Sequence, residues 1–127
     1  MLFRSNCAQI VSLENTDIRK LDRAQLDETP DFATVDVSFI SLKLVLPAIG
    51  ALLKQCATLV ALIKPQFETQ RSAIKKGVVR DPSIHAAICD DIAAFLGSLG
   101  WRVGGVMPSP IFGGDGNREF LIEAERG

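Results

Sequence analysis

The chain has 127 residues, is 47% hydrophobic and carries a formal net charge of −1. That suits one globular domain burying roughly two-thirds of its unfolded surface, and it excludes wholesale disorder, which needs low hydrophobicity and high charge. No apolar run approaches the ~20 residues of a membrane-spanning helix, and the overall charge does not mark a nucleic-acid binder, leaving only a local basic patch for that role.

From the start, "MLFRSNCAQI" lacks the extended apolar core of a signal peptide. Cys7, Cys56 and Cys89 are odd in number, far apart and without metal-type spacing, which suits buried inert thiols in the reducing cytoplasm. "AQIVSLE", Ala8 to Glu14, reads as a short strand. The charged stretch that follows holds one short helix around Arg23 to Leu26 and is closed by Pro30. "FATVDVS" is a second strand, apolar enough to be buried on both faces. "SLKLVLPAIGALLK" is helical, with Pro47 in its first full turn or kinking it. "ATLVALIKP", Ala57 to Pro65, is the strongest strand signal; it ends in Lys64, and Pro65 stops the ladder.

Gln66 to Arg80 is a long polar loop carrying Arg71, Lys75, Lys76 and Arg80. Loops of this length are uncommon in compact domains unless they serve a function. In "DPSIHAAICDDIAAFLGSLG", Asp81 caps a helix and Pro82 suits its first position. Ile84, Ile88, Ile92, Phe95 and Leu99 form its apolar stripe, and Gly97 or Gly100 ends it. "WRVGGVMPSP" is a strand, "IFGGDGN" a Gly-rich turn and "REFLIEAER" the last strand. The alternation predicts an α/β fold with a mostly parallel sheet and one antiparallel strand at the end.

In such sheets function collects beyond the carboxyl ends of the parallel strands. Asp36 and Lys64 lie at two of those ends. Glu119 opens the antiparallel strand and so falls at the same rim. Singly, each has an ordinary explanation: a cap or turn acid, a solvated lysine, a surface ion pair with Arg118 worth at most ~1 kcal/mol. Together they predict one charged crevice.

"VDVSFISLKLVLPA", "LIKPQFE", "GVVRDPSIH" and "SPIFGGDGNREFLI", in this order, closely resemble TlyA-type ribosomal RNA 2′-O-methyltransferases, also named hemolysins, within the wider FtsJ-like methyltransferase fold. The likeness runs from about Val11 to the end. It implies a Rossmann-like class I methyltransferase fold, S-adenosylmethionine as cofactor, ribosomal RNA as substrate and a Lys-Asp-Lys-Glu tetrad. By motif, Asp36 matches the Asp, Lys64 the second Lys and Glu119 the Glu. Asp17, in "ENTDIR", matches the position that contacts the cofactor's adenine, though a turn or cap acid fits it equally well. The chemistry suits these residue types. A ribose 2′-hydroxyl is a poor nucleophile until its proton is drawn away, and a lysine serves as base only when neutral, which burial or a neighbouring cation favours. Carboxylates hold ammonium groups in place and complement a sulfonium, and the remaining catalysis is alignment.

The resemblance also implies absences. An amino-terminal S4-type RNA-binding domain, the first two strands of the catalytic domain, the Gly-rich cofactor turn and the first tetrad Lys have no counterpart among these residues; "GGDGN" precedes a strand, not a helix, and neither Lys20 nor Lys43 matches the lost Lys. Residues 1–127 then form a single incomplete methyltransferase domain, inactive alone. In the implied strand order 3-2-1-4-5-7-6, losing the central strands opens the edge of "FATVDVS". Either "AQIVSLE" docks there, or two chains pair through it as a homodimer. The alternative function is a non-catalytic RNA-binding or oligomerisation module, with the basic loop on RNA phosphates. A membrane-active hemolysin is disfavoured: the helix with Asp90 and Asp91 has no basic face for a membrane surface.

Overall fold

The computed structural model describes residues 11–75, 77–113 and 116–127. Four strands form one sheet: β1 (Phe32–Val35), β2 (Ala57–Ile63), β3 (Arg102–Pro108) and β4 (Phe120–Arg126), with helices α1 (Leu42–Leu52) and α2 (Pro82–Ser98) between them. The strand order is β1-β2-β4-β3, the 4-5-7-6 part of the order the resemblance implies. Three strands share a direction and β4 opposes them. Because β4 lies between β2 and β3, only β1 with β2 is a parallel pairing, and the other two are antiparallel. The sheet is therefore mixed in its hydrogen bonding rather than mostly parallel.

Both helices cover one face. Along β2, Ala57, Leu59, Ala61 and Ile63 are buried, while the residues between them are only partly so. Opposite them in register stand Ile122 and Ala124 of β4, and α1 and α2 close the core with Leu42, Val45, Leu46, Ile49, Ile88, Ile92 and Leu96. Period-2 burial is what a sheet covered on one side produces. The expectation that β1 is buried on both faces fails for that reason: Phe32 and Thr34 are exposed and Val35 alone is fully buried. β1 pairs with β2 on one side and, among the described residues, with nothing on the other.

The predicted first strand is not there in its described part. Val11 to Glu14 have no strand geometry, and Ala8 to Ile10 lie outside the described residues. An apolar segment requires a sheet partner to become a strand, and Val11 to Glu14 have none on β1. Its charged successor instead forms two 3-10 turns. Asp17 caps Ile18–Lys20 and Asp22 caps Arg23–Gln25 through a capping box with Gln25. Ile18 packs against the core.

Helix α1 starts at Ser41, whose hydroxyl accepts from Lys43 N. Pro47 sits beyond the first turn and removes the bond that the Lys43 carbonyl would otherwise accept. The far end of α1 is closed by Arg126. Its guanidinium donates to the carbonyls of Gly50, Leu53, Lys54 and Gln55 at 2.7–3.3 Å and lies 4.6 Å from the Trp101 ring centre. Arg126→Ala is expected to cost about 1–3 kcal/mol in urea unfolding. Arg126→Lys recovers little of it, because one ammonium cannot replace a planar fork.

Helix α2 starts at Asp81, with Pro82 in its first position. Cys89 and Leu96 join the predicted stripe in the core. Gly100, at φ 94°, ends the helix as only glycine readily does; Gly97 is still helical. The thiols divide rather than both being buried. Cys56, just before β2, is exposed and Cys89 is buried; Cys7 lies outside the described residues. Burial first, then the Asp90 charge, pushes the Cys89 thiol up to about 11. Iodoacetamide at about pH 8 should modify Cys56 and leave Cys89 untouched, a result peptide mapping reads directly.

Candidate functional site

Three predicted residues meet at one rim of the sheet. The last β2–β4 pair is Ile63 with Phe120, so Lys64 and Glu119 stand one step beyond it on neighbouring strands. Asp36 follows the end of β1, the parallel neighbour of β2. The Lys64 ammonium lies 2.5 Å from Asp36 Oδ1 and donates to Ser38 Oγ at 3.1 Å. The Lys64 side chain is 13% exposed and that of Asp36 66%. The lysine is thus held from the inside while the carboxylate remains open to a ligand. An ion pair this wet on one side adds at most about 1 kcal/mol to stability.

Beside this pair is a cavity of about 460 Å³, whose lining includes Ser38, Phe39, Lys64, Gln66, Asn117 and Glu119. Glu119 is 9% exposed. Its carbonyl accepts from Ser109 N at 2.8 Å, and its carboxylate packs so closely on Gly113 that a Cβ there would collide with it. Among the described residues that carboxylate has neither hydrogen bond nor ion pair. The Gln66 side-chain oxygen is buried and also unpaired. Buried acceptors left without donors are rare and costly; here Gln66 Oε1 is one, and it borders the cavity that holds Lys64 together with the unpaired Glu119 carboxylate.

Asp17 is not part of this cluster. It caps its 3-10 turn and forms an ion pair with Arg19 at 2.9 Å. The Arg19 guanidinium, then the Arg19 backbone N–H, lower its carboxyl to about 2. Its neighbour Ile18 and Asp36 do share a second, largely apolar groove of about 350 Å³, with Val37, Val45 and Ile49. Lys43, which matches no site position in the sequence, is ion-paired with Asp91 on α2 and lies near Phe95.

Two loops build the rim, and side chains unassigned in the sequence hold them. The Glu68 carboxylate accepts from Ser41 Oγ at 2.5 Å and from Leu42 N at 2.8 Å, joining the segment after β2 to the segment after β1. Phe39, 89% exposed and at φ 63°, rests on Phe67 with ring centres 5.0 Å apart. A bulky residue at positive φ is a genuine strain, and such strain clusters at ligand sites. Asn117, 3% exposed, accepts from Val79 N at 3.0 Å and donates to Gly77 O at 2.8 Å. The described residues of the predicted loop are therefore held in place, with 3-10 turns at Pro65–Phe67 and Arg71–Ala73 and a bridge between Lys75 and Val78. Of its basic residues, Lys75 and Arg80 are exposed; Lys76 and the Arg71 side chain lie outside the description. Among the described residues no cluster of His, Cys, Asp or Glu could hold a metal, and no helix is long and apolar enough to cross a membrane.

The model of the FtsJ-like methyltransferase family matches residues 2–126. YqxC of Bacillus subtilis (strain 168), whose name proposes an rRNA methyltransferase, is 45% identical over 116 residues, covering 90% of this chain and 41% of that protein. The 16S/23S rRNA (cytidine-2′-O)-methyltransferase TlyA of Mycobacterium tuberculosis (strain ATCC 25618 / H37Rv) is 37% identical over 118 residues, covering 92% and 44%. The chain thus spans less than half the length of these curated relatives. A solved structure from Lactococcus lactis, named as a proposed hemolysin, superposes with a TM-score of 0.92 at 36% identity, covering 96% of this chain and 59% of that one. The chain belongs to the FtsJ-like methyltransferase family, and within it to the TlyA or hemolysin type.

Proposed function

We propose that this chain is the carboxyl-terminal part of an S-adenosylmethionine-dependent rRNA 2′-O-methyltransferase, a single incomplete methyltransferase domain working in the cytoplasm. The observation that carries the reading is Lys64, anchored by Asp36 and Ser38 on the wall of a cavity that Glu119 and Gln66 border with unpaired acceptors. The residues present fit the adenine end of the cofactor. Its ring suits the apolar groove beside Ile18 and Val37, the open side of Asp36 faces the same groove, and Asp17 retains lone pairs beyond those engaged by Arg19. When bound, the cofactor supplies a methyl group on a sulfonium.

The chain's own residues handle the other reactant. Lys64 Nζ, after passing its own proton to water, takes the proton of a ribose 2′-hydroxyl; in the ammonium form paired with Asp36 it orients that oxygen by donating to it. Asp36 fixes that nitrogen, and its negative charge complements the sulfonium. Glu119 and Gln66 accept from hydroxyl or amino donors of the nucleotide, and the bare face of Phe39 offers a surface for an unstacked base. By itself the chain is expected to bind S-adenosylmethionine weakly and to show no turnover, because it has neither the Gly-rich cofactor loop nor the first tetrad lysine. Replacing the matched 116 residues of the Bacillus subtilis relative with this chain tests the reading. Methyl transfer to ribosomal RNA by the graft supports it, and a folded graft with no transfer sinks it.

The edge of β1 that is unpaired among the described residues, with Phe32 54% exposed, favours a second reading as a module that pairs with another copy of itself. Sedimentation at high concentration tests this, and a strict monomer ends it.

A further inference from the structure

The segment from Lys75 to Val78 separates two cavities. The two residues exchange backbone hydrogen bonds at 2.9 and 3.0 Å, and Gly77 supplies the φ of 78° that the turn requires. Ile74 and Gly77 wall the Lys64–Glu119 cavity. On the other side Lys75, Arg80 and Ser72 border a separate groove of about 480 Å³. Among the described residues neither Lys75 nor Arg80 has an ion-pair partner. Asp81 also borders the groove, but its carboxylate already accepts from Ser83 Oγ and Ser83 N at 2.7 and 2.9 Å. Those same bonds, the hydroxyl first, hold its pKa below the ordinary carboxylate value. Two cations without ion-pair partners among the described residues thus stand against one carboxylate, and the groove keeps a net positive charge. The turn is also fixed in place, since Asn117 binds both Gly77 and Val79 and precedes Glu119 by two residues. The cations are held at a set position relative to Lys64 and Glu119.

We propose that Lys75 and Arg80 hold a backbone phosphate of the RNA, adjoining the nucleotide whose ribose reaches Lys64. They act as positioning residues, with the Ser72 hydroxyl as a third donor. A phosphate matches this groove because it takes a forked guanidinium and a point-charge ammonium together, and because a polynucleotide supplies one on either side of each ribose. The proposal rests on the RNA reading above.

Fluorescence anisotropy with a labelled RNA hairpin carrying an unpaired loop, titrated across about 20–200 mM KCl, separates the two. Each lost phosphate contact reduces the slope of log affinity against log salt by about 0.7–0.9, so K75Q/R80Q, which releases the one phosphate the two residues share, should flatten it by about that much. K75R/R80K should restore most of the slope. K54Q, an exposed lysine before the start of β2 at the opposite end of the sheet, should leave it unchanged. A double variant with the wild-type slope, or K54Q flattening it as much per charge, overturns the phosphate assignment while leaving the RNA reading intact. No RNA binding by the wild type at the lowest salt removes both.

Discussion

In the graft, Lys64→Met is expected to lower methyl transfer by about 10²–10⁴-fold, the usual loss when a positioned proton-transfer group is removed. Stability should change little. The partner left behind is Asp36, whose side chain is 66% exposed, so no buried charge is stranded. The apolar stem of methionine fills the volume of the lysine stem. Rate and unfolding midpoint should therefore separate, which distinguishes a chemical role from a packing role. Glu119→Gln provides a second arm. It keeps the shape of the side chain against Gly113 while removing its charge, so a reduced rate with normal RNA binding assigns Glu119 to the site. A Lys64→Met graft methylating within threefold of its parent would remove Lys64 from the chemistry.

The largest loss of stability is expected from Asn117→Ala. The change strips partners from the Val79 N–H and the Gly77 carbonyl. Val79 is 1% exposed, so water does not readily replace the lost acceptor. The buried Val79 N–H, once orphaned, costs about 1–3 kcal/mol, and the Gly77 carbonyl, on an exposed residue, loses only an ordinary hydrogen bond worth about 0.5–1.5 kcal/mol; about 2–4 kcal/mol together is a large fraction of the ~5–15 kcal/mol that holds a domain folded. Asn117→Asp should be no milder. It keeps the acceptor for Val79 but sets a carboxylate oxygen against the Gly77 carbonyl. Urea unfolding measures both variants, and a midpoint shift worth less than about 0.5 kcal/mol would show that the two bonds are dispensable.

The convergence of Asp36, Lys64 and Glu119 was legible because it depends only on strand direction and strand ends. β2 stops at Ile63, two residues before Pro65, β4 runs against it, and the Ile63–Phe120 pair does the rest. Glu68 and Asn117 were not legible. Their bonds reach 26 to 40 residues along the chain, and no periodicity or spacing marks such a pair. The order of the 65–80 segment was hidden for the same reason: its polar composition suggests a free loop, while its fixed points are supplied by other segments. The one-sided burial of β1 is not marked in its residues, since apolar composition describes what a strand tolerates and not how many layers cover it. Val11 to Glu14 show the converse, an apolar sequence whose conformation is decided by whether a neighbour exists. Asp17 illustrates a limit of single residues, because its sequence context suits a cap and a ligand contact alike, and here the cap and the Arg19 pair are formed.

The Glu68 carboxylate has one oxygen on the Ser41 hydroxyl and the other on the Leu42 amide. The two walls of the rim are therefore a single component for evolution and for engineering. Transplanting the Asp36–Phe39 turn onto another scaffold without the Pro65–Glu68 turn would deliver an aromatic ring with nothing beneath it and a helix start with no counter-charge. Sequence drift in one turn is tolerated only in step with the other, so functional swaps among homologous proteins should succeed when both are exchanged and fail when either travels alone.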